Sequence, residues 1–470
     1  MNGKDLLLGM SFISEELVQE ADSQPIKTST QWKKWLSLAA CLCLILGAAG
    51  LFGSMLPSKD STRQETALLD NNLAAGGNDA NGLLNDQHSP QYSMNESCSE
   101  TVTQDPVTAV TDFGIRLLQN TCSEGENTLL SPLSVVYALG MTANGAGGET
   151  LAQMEAAMGI SAATLNEWIR DYTNGLPQTD SGRLLSANGI WYRDRALTVS
   201  DAFQKVNKAY YRADIHAAAF DQETLHEING WVDKNTRGMI PSIIDEIPPE
   251  SVMYLINALA FEAEWETVYR EDQVYRDTFT TESGQEQLVD FLHGEERDYL
   301  ENELSTGFIK YYKDRNYAFA ALLPNEDVTV AELVTSLDGE SLRTMLKSPT
   351  DITVCTSIPK FKTEYAAELS GTLQKMGMEL PFDDSQADFS GIGTAGNAAN
   401  IYISKIIHKT FLQLDEQGTR AGAATAVTMF ANGALIDVKY VELDRPFVYM
   451  LIDCQSGLPF FIGCMMDVNP

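Results

Sequence analysis

The chain has 470 residues, 44% of them hydrophobic, enough for one large domain with additions or for two or three smaller ones. Its 32 Lys and Arg face 65 Asp and Glu, a formal charge of −33. That balance excludes nucleic acid and anionic membrane surfaces as natural partners, and suits either general solubility or a basic protein partner.

Residues 1–34 are short, polar and mildly amphipathic, too few to fold alone, and are expected to lie in the cytoplasm. Residues 35–56 follow, twenty-two without a charge, a length that spans a bilayer as a helix. Lys27, Lys33 and Lys34 precede the run and mixed charges follow it, which orients the N-terminus inward. Leu38-Ala39-Ala40-Cys41 also looks like a bacterial lipoprotein box, so a lipidated anchor and a cleaved signal stand as alternatives to the uncleaved anchor, although the long polar lead argues against the cleaved signal. Residues 57–105 are rich in Asn, Gly, Ala, Ser, Asp and Gln without sustained periodicity, and read as a disordered tether. Asn95-Glu96-Ser97 fits a glycosylation sequon, relevant only in a eukaryotic secretory route.

A globular pattern begins at Pro106 and runs to residue 470. Residues 107–120 carry apolar side chains at helical spacing. Ser131 and Pro132 then read as the N-cap and first position of a second helix. Strands are expected at 185–192, 252–265, 354–361 and 401–414, with apolar closing strands in the last forty residues. Asn257 lies inside the 252–265 run, where it needs hydrogen-bond partners once buried. The cysteines (Cys41, Cys43, Cys98, Cys122, Cys355, Cys454, Cys464) are odd in number and form no CxxC pair, so neither a disulfide framework nor a zinc site is indicated. No HExxH, GxSxG or convincing triad is present, so the chain is expected not to be an enzyme and to need no metal or cofactor.

Residues 414–427, LDEQGTRAGAATAV, are almost devoid of large side chains. Composition alone allows a plain Ala/Gly linker. Alternation allows more: as a strand, Thr419, Ala421, Ala423 and Thr425 would share one buriable face, with Arg420, Gly422, Ala424 and Ala426 on the other.

LDEQGTRAGAAT, followed by DRPFVYMLID and the terminal PFFIGCMMDVNP, closely resembles the serpin family, as do NTLLSPLS at 127–134 and NGAGGET at 144–150. The resemblance covers roughly residues 106–470. It implies an α+β serpin fold of three β-sheets and eight or nine helices, with an exposed reactive-centre loop. It also implies a monomeric serine protease inhibitor that traps its target as an acyl-enzyme while the cut loop inserts into the central sheet; some members trap cysteine proteases. The hinge would comprise Glu416, Gly418, Thr419, Arg420, Ala421, Gly422, Ala423, Ala424 and Thr425, all compatible with insertion except that Arg420 replaces the usual acidic residue. Counting seventeen residues from Glu416 puts the scissile bond at Asn432–Gly433, with Ala431, Phe430 and Met429 as alternatives. The resemblance further implies a "shutter" of Ser131, Ser134, Asn257 and His408 and a "breach" of Lys360, Glu416 and Trp265. No Lys or Arg lies between Ala421 and Val438, which disfavours a trypsin-like target. Small and apolar residues there favour elastase-like or subtilisin-like enzymes, and Phe430 a chymotrypsin-like one. A non-inhibitory member, acting as a binding or chaperone-like module, is the alternative. With the N-terminal span, the expected location is the cell membrane, single-pass, with the serpin domain outside and a bacterial source favoured.

Overall fold

The computed structural model describes residues 105–177, 179, 182–396, 400–419 and 438–469. The expected segment 1–34, span 35–56, tether to residue 104 and loop 420–437 lie outside the described residues. Among the described residues, no helix is long and apolar enough to cross a membrane.

Helix α1 (Pro106–Gln119) opens on Asp105, whose carboxylate accepts from Thr108 N–H, with Pro106 at the first position. Helix α2 (Pro132–Ala143) opens in the same way: the Ser131 hydroxyl accepts from Ser134 N–H at 3.2 Å and Pro132 follows. Pro has no N–H to waste there, and its fixed φ suits a first turn. The remaining helices among the described residues are α3 (Gly148–Met158), α4 (Ala162–Gly175), α5 (Asp201–Tyr211), α6 (Gln222–Asn235), α7 (Val330–Ser336), α8 (Gly339–Lys347) and α9 (Ser370–Lys375).

Three sheets hold the strands. The largest has nine: β1 (Thr128–Leu130), β17 (Leu458–Met465), β16 (Phe447–Asp453), β9 (Tyr317–Pro324), β8 (Ser305–Tyr311), β7 (Glu286–Glu301), β10 (Thr350–Pro359) and β15 (Val438–Glu442) in that order, with β6 (Val274–Thr280) paired to β7. Every residue of β9 and β17 is buried, so these strands run apolar without alternation. The second sheet orders β11 (Phe361–Glu368), β13 (Ile407–Leu414), β14 (Gly418–Thr419), β5 (Met253–Glu264), β2 (Gly182–Arg193) and β4 (Asp214–Ala218). A small third pairs β3 (Leu197–Val199) with β12 (Gly393–Ala395). Helix α2 packs against both β5 and β17, joining the two large sheets. Nine helices and three sheets among the described residues match the α+β serpin architecture.

Two strand expectations change. The 354–361 run is two strands of different sheets, β10 and β11, broken at Lys360, whose N–H donates to Asp290 O. Pro359, which has no N–H to give a ladder, is the local mark of that break, but nothing local says that the two strands join different sheets. The 401–414 strand begins only at Ile407. Before it the backbone bonds elsewhere: Ile403 N–H donates to Pro381 O and Ile406 N–H to the Ser370 hydroxyl.

Candidate functional site

The second sheet is joined across its middle by two residues. After β13 the chain turns through Asp415, Glu416 and Gln417, and the Asp415 carboxylate accepts from Gln417 N–H at 2.9 Å and Gly418 N–H at 3.3 Å. This side-chain turn redirects the backbone. Gly418 and Thr419 then lie antiparallel between β13 and β5, with Leu414 opposite Thr419 on one side, and Gly418 opposite Glu264 and Thr419 opposite Ala263 on the other. Among the described residues no ladder pair joins β5 directly to β13. Gly418 has φ +150°, and a Cβ there would stand 2.1 Å from Ala263 O, so only glycine enters the sheet at this point. Thr419 is 1% exposed and points inward, where its hydroxyl meets the Tyr312 hydroxyl at 2.5 Å.

The turn is held from outside as well. Lys360 Nζ lies 2.6 Å from Glu416 Oε2, an ion pair at a half-exposed position. The ammonium beside it holds the Glu416 carboxyl below its ordinary value, with burial opposing. Trp265 donates twice, from its indole to Asp415 O and from its backbone to Gln417 O, both at 2.9 Å. Tyr269 N–H donates to Glu416 O at 3.1 Å. The Trp265 ring stacks on Tyr312 with centroids 4.3 Å apart. Beneath it, Lys310 is buried over the Trp265 and Tyr269 rings and pairs with Glu296 at 2.7 Å. Burial alone would lower the Lys310 ammonium, but the Glu296 carboxylate outweighs it and raises it. Asp415, Tyr312 and the Lys310–Glu296 pair escaped sequence reasoning, because a polar or aromatic residue beside a strand is ordinary and nothing local marks its partner.

Lower in the sheet, polar groups form two sets. His408, on β13, accepts from Ser131 N–H at 3.1 Å through Nε2. The Ser131 hydroxyl donates to Phe460 O at 2.9 Å and accepts from Ser134 N–H. One residue therefore caps α2, anchors β17 and meets the histidine. Burial pushes the His408 imidazole down to about 4, so it is neutral, and the accepted bond leaves its proton on Nδ1. Asn257 does not bond to this set. Its amide donates to Asn188 Oδ1 at 3.0 Å and Ser186 Oγ at 3.3 Å, and Asn188 donates to Tyr211 O. Asn257 Oδ1 is buried with no hydrogen-bond partner among the described residues. Arg420, Ala421, Gly422, Ala423, Ala424 and Thr425, and the candidate cut-site residues Met429, Phe430, Ala431, Asn432 and Gly433, lie outside the described residues. No group of three or more His, Cys, Asp or Glu side chains among the described residues is arranged to hold a metal ion.

This geometry joins a split sheet to a loop whose first residues already lie between the halves. A family model described as serpin (serine protease inhibitor) matches residues 108–468. Serpin-ZXA of Oryza sativa subsp. japonica is 30% identical over 370 residues, covering 74% of this chain and 91% of the rice protein. The plasma serine protease inhibitor of Mus musculus is 28% identical over 363 residues, covering 75% of this chain and 88% of the mouse protein. The crystal structure of the thermophilic serpin tengpin in its native state is similar with a TM-score of 0.74 at 42% identity, covering 80% of this chain and 96% of tengpin. The chain belongs to the serpin family of serine protease inhibitors.

Proposed function

We propose that this chain is an inhibitory serpin that traps its target protease by completing the strand that β14 begins. One observation carries the reading: Gly418 and Thr419 are already laddered between β5 and β13, with Thr419 facing the core. Continuing the same register, Ala421 would stand opposite Phe261 and Leu412, and Ala423 opposite Leu259 and Thr410. Thr425 would arrive opposite Asn257 and His408. All six of these sheet residues are buried, so the incoming face must be small. Ala, Gly and Thr also surrender little or no side-chain entropy on entry. The Thr425 hydroxyl would supply the donor that Asn257 Oδ1 lacks, joining the two polar sets of the shutter.

The mechanism follows from length. Thr419 to Asn432 spans roughly 45 Å as a strand at about 3.3 Å per residue. A protease that has cut near Asn432–Gly433 is esterified to the loop. Each residue that enters gains ladder bonds worth about 0.5–1.5 kcal/mol net apiece. The acyl-enzyme is carried to the far end of the sheet before water can release it. In this reading Lys360, Glu416 and Trp265 hold the entry point, and Ser131, Ser134, Asn257 and His408 control how readily the sheet parts. The charge pattern around residues 35–56 supports a membrane-anchored protein with its inhibitory domain outside the cell, which fractionation of the native host tests.

The decisive test is a panel of elastase-like, subtilisin-like and chymotrypsin-like proteases. A complex that survives SDS, together with a released C-terminal peptide whose mass gives the scissile bond, is expected with at least one of them. Thr425→Arg should abolish the complex and leave clean cleavage. Cleavage without a complex by every protease overturns the proposal.

A further inference from the structure

Outside the sheet opening, two sulfur atoms meet. Cys122 lies just past α1, where its N–H still donates to Leu118 O at 2.7 Å. Cys464 lies on β17, opposite Thr128 of β1 and Val448 of β16. Their Sγ atoms are 3.3 Å apart although 342 residues separate them in sequence. A disulfide needs about 2.05 Å, so roughly 1.3 Å of closure suffices. The surrounding backbone is already fixed: Asn127 donates to Asp467 O and accepts from Met466 N–H at 2.7 Å and Asp467 N–H at 2.9 Å. Cys122 is half-buried and Cys464 fully buried, so one thiol meets solvent and the other waits behind it.

We propose that Cys122 and Cys464 form a redox-active dithiol that a low-molecular-weight disulfide oxidises to an intramolecular disulfide, tying β17 to the end of α1. The Cys122 thiolate attacks one sulfur of oxidised glutathione and expels one glutathione thiolate. Cys464 then attacks the Cys122 sulfur and gives its proton to the second glutathione sulfur as that leaves as a thiol. Two protein thiols are oxidised while one small disulfide is reduced to two thiols. The order follows from exposure. It also follows from acidity: the hydrogen bond with Cys464, against opposing burial and with help from Thr128, pulls the Cys122 thiol below its ordinary value. The bond with Cys122, then burial, raises Cys464. Of the other described cysteines, burial raises both Cys355 and Cys454.

The bridge has a consequence that no non-covalent contact shares. Any cut between residues 420 and 437 separates β15, β16 and β17 from the rest of the chain. With the disulfide closed, the C-terminal fragment stays covalently attached through Cys464. This holds for any cut in the loop, whether the cutting protease is trapped or not, so it stands apart from the proposed function.

The test uses the full chain, reduced or equilibrated with oxidised glutathione. Trypsin digestion under denaturing, non-reducing conditions should yield a linked peptide pair containing Cys122 and Cys464 from the oxidised sample only. After subtilisin nicks the folded, oxidised protein, the C-terminal fragment should separate on a denaturing gel only when reductant is added. Cys122→Ser, at the half-buried position, should release it without reductant, as should Cys464→Ala. Recovery of Cys122 solely as its glutathione adduct, or of both thiols still alkylatable after oxidation, overturns the proposal.

Discussion

His408 makes the domain sensitive to acid through a single ring. Its folded value is about 4 against an ordinary value near 6.5. Below about pH 6.5 the unfolded chain takes up a proton that the folded chain refuses. The contribution is therefore complete above pH 6.5, is lost as pH falls toward 4, and then levels off, for a total on the order of 3 kcal/mol. Thermal midpoints of wild type and His408→Gln should differ most at neutral pH, and the gap should narrow between pH 6.5 and 4; a constant gap refutes the assignment. Gly418 offers a second check. Gly418→Ala would place a Cβ against Ala263 O and strain a φ of +150°, about 1–3 kcal/mol for the backbone alone. It should expel β14, seen as faster hydrogen exchange at the Thr419 and Ala263 amides. Of these residues the sequence marked His408, Ser131 and the hinge, because family motifs name them. It did not mark Tyr312 or Asp415, whose roles come from partners far away in the chain.

At the scale of the element, β14 tests the alternation read from the sequence. Thr419 faces inward; if the proposed insertion continued its register, strand parity would turn Arg420 outward, opposite Glu262 of β5 and Gln413 of β13. Glu262 already pairs with Arg237 at 3.1 Å, so an inserted Arg420 would gain little there and harm nothing. Arg420→Ala should leave the stoichiometry of inhibition unchanged within about twofold. Ala421→Arg, one position on, aims the same charge at Phe261 and Leu412 and should convert the inhibitor to a substrate. Titration of a susceptible protease separates the two outcomes; equal effects would refute the parity. The alternation is a pattern the sequence shows because period two is a local property; of its members only Thr419 is among the described residues. The change of sheet at Lys360 was not legible, since Pro359 marks an interruption but nothing local says that β10 and β11 join different sheets. Nor was the separation of Asn257 from His408, which depends on how far apart β5 and β13 stand.

For the whole molecule, the proposed mechanism requires the intact chain to be less stable than its nicked product. Cutting the loop should raise the thermal midpoint, by ten degrees or more if the added strand contributes several kcal/mol; an unchanged midpoint removes the driving force. The pieces of a nicked but folded chain should stay together, since β16 and β17 lie buried between β9 and β1. The architecture was legible through the terminal strands and the NTLLSPLS segment; the meeting of Cys122 with Cys464 was not, because spacing says nothing about which distant thiols converge. Thr419 already sits in its rung, so on the proposed mechanism the slow step of seeding a new strand would be complete before any protease arrives. Zippering after the cut should proceed without a lag, as a single exponential independent of concentration, and Trp265, stacked at the mouth of the seam, is the natural fluorescent clock for it.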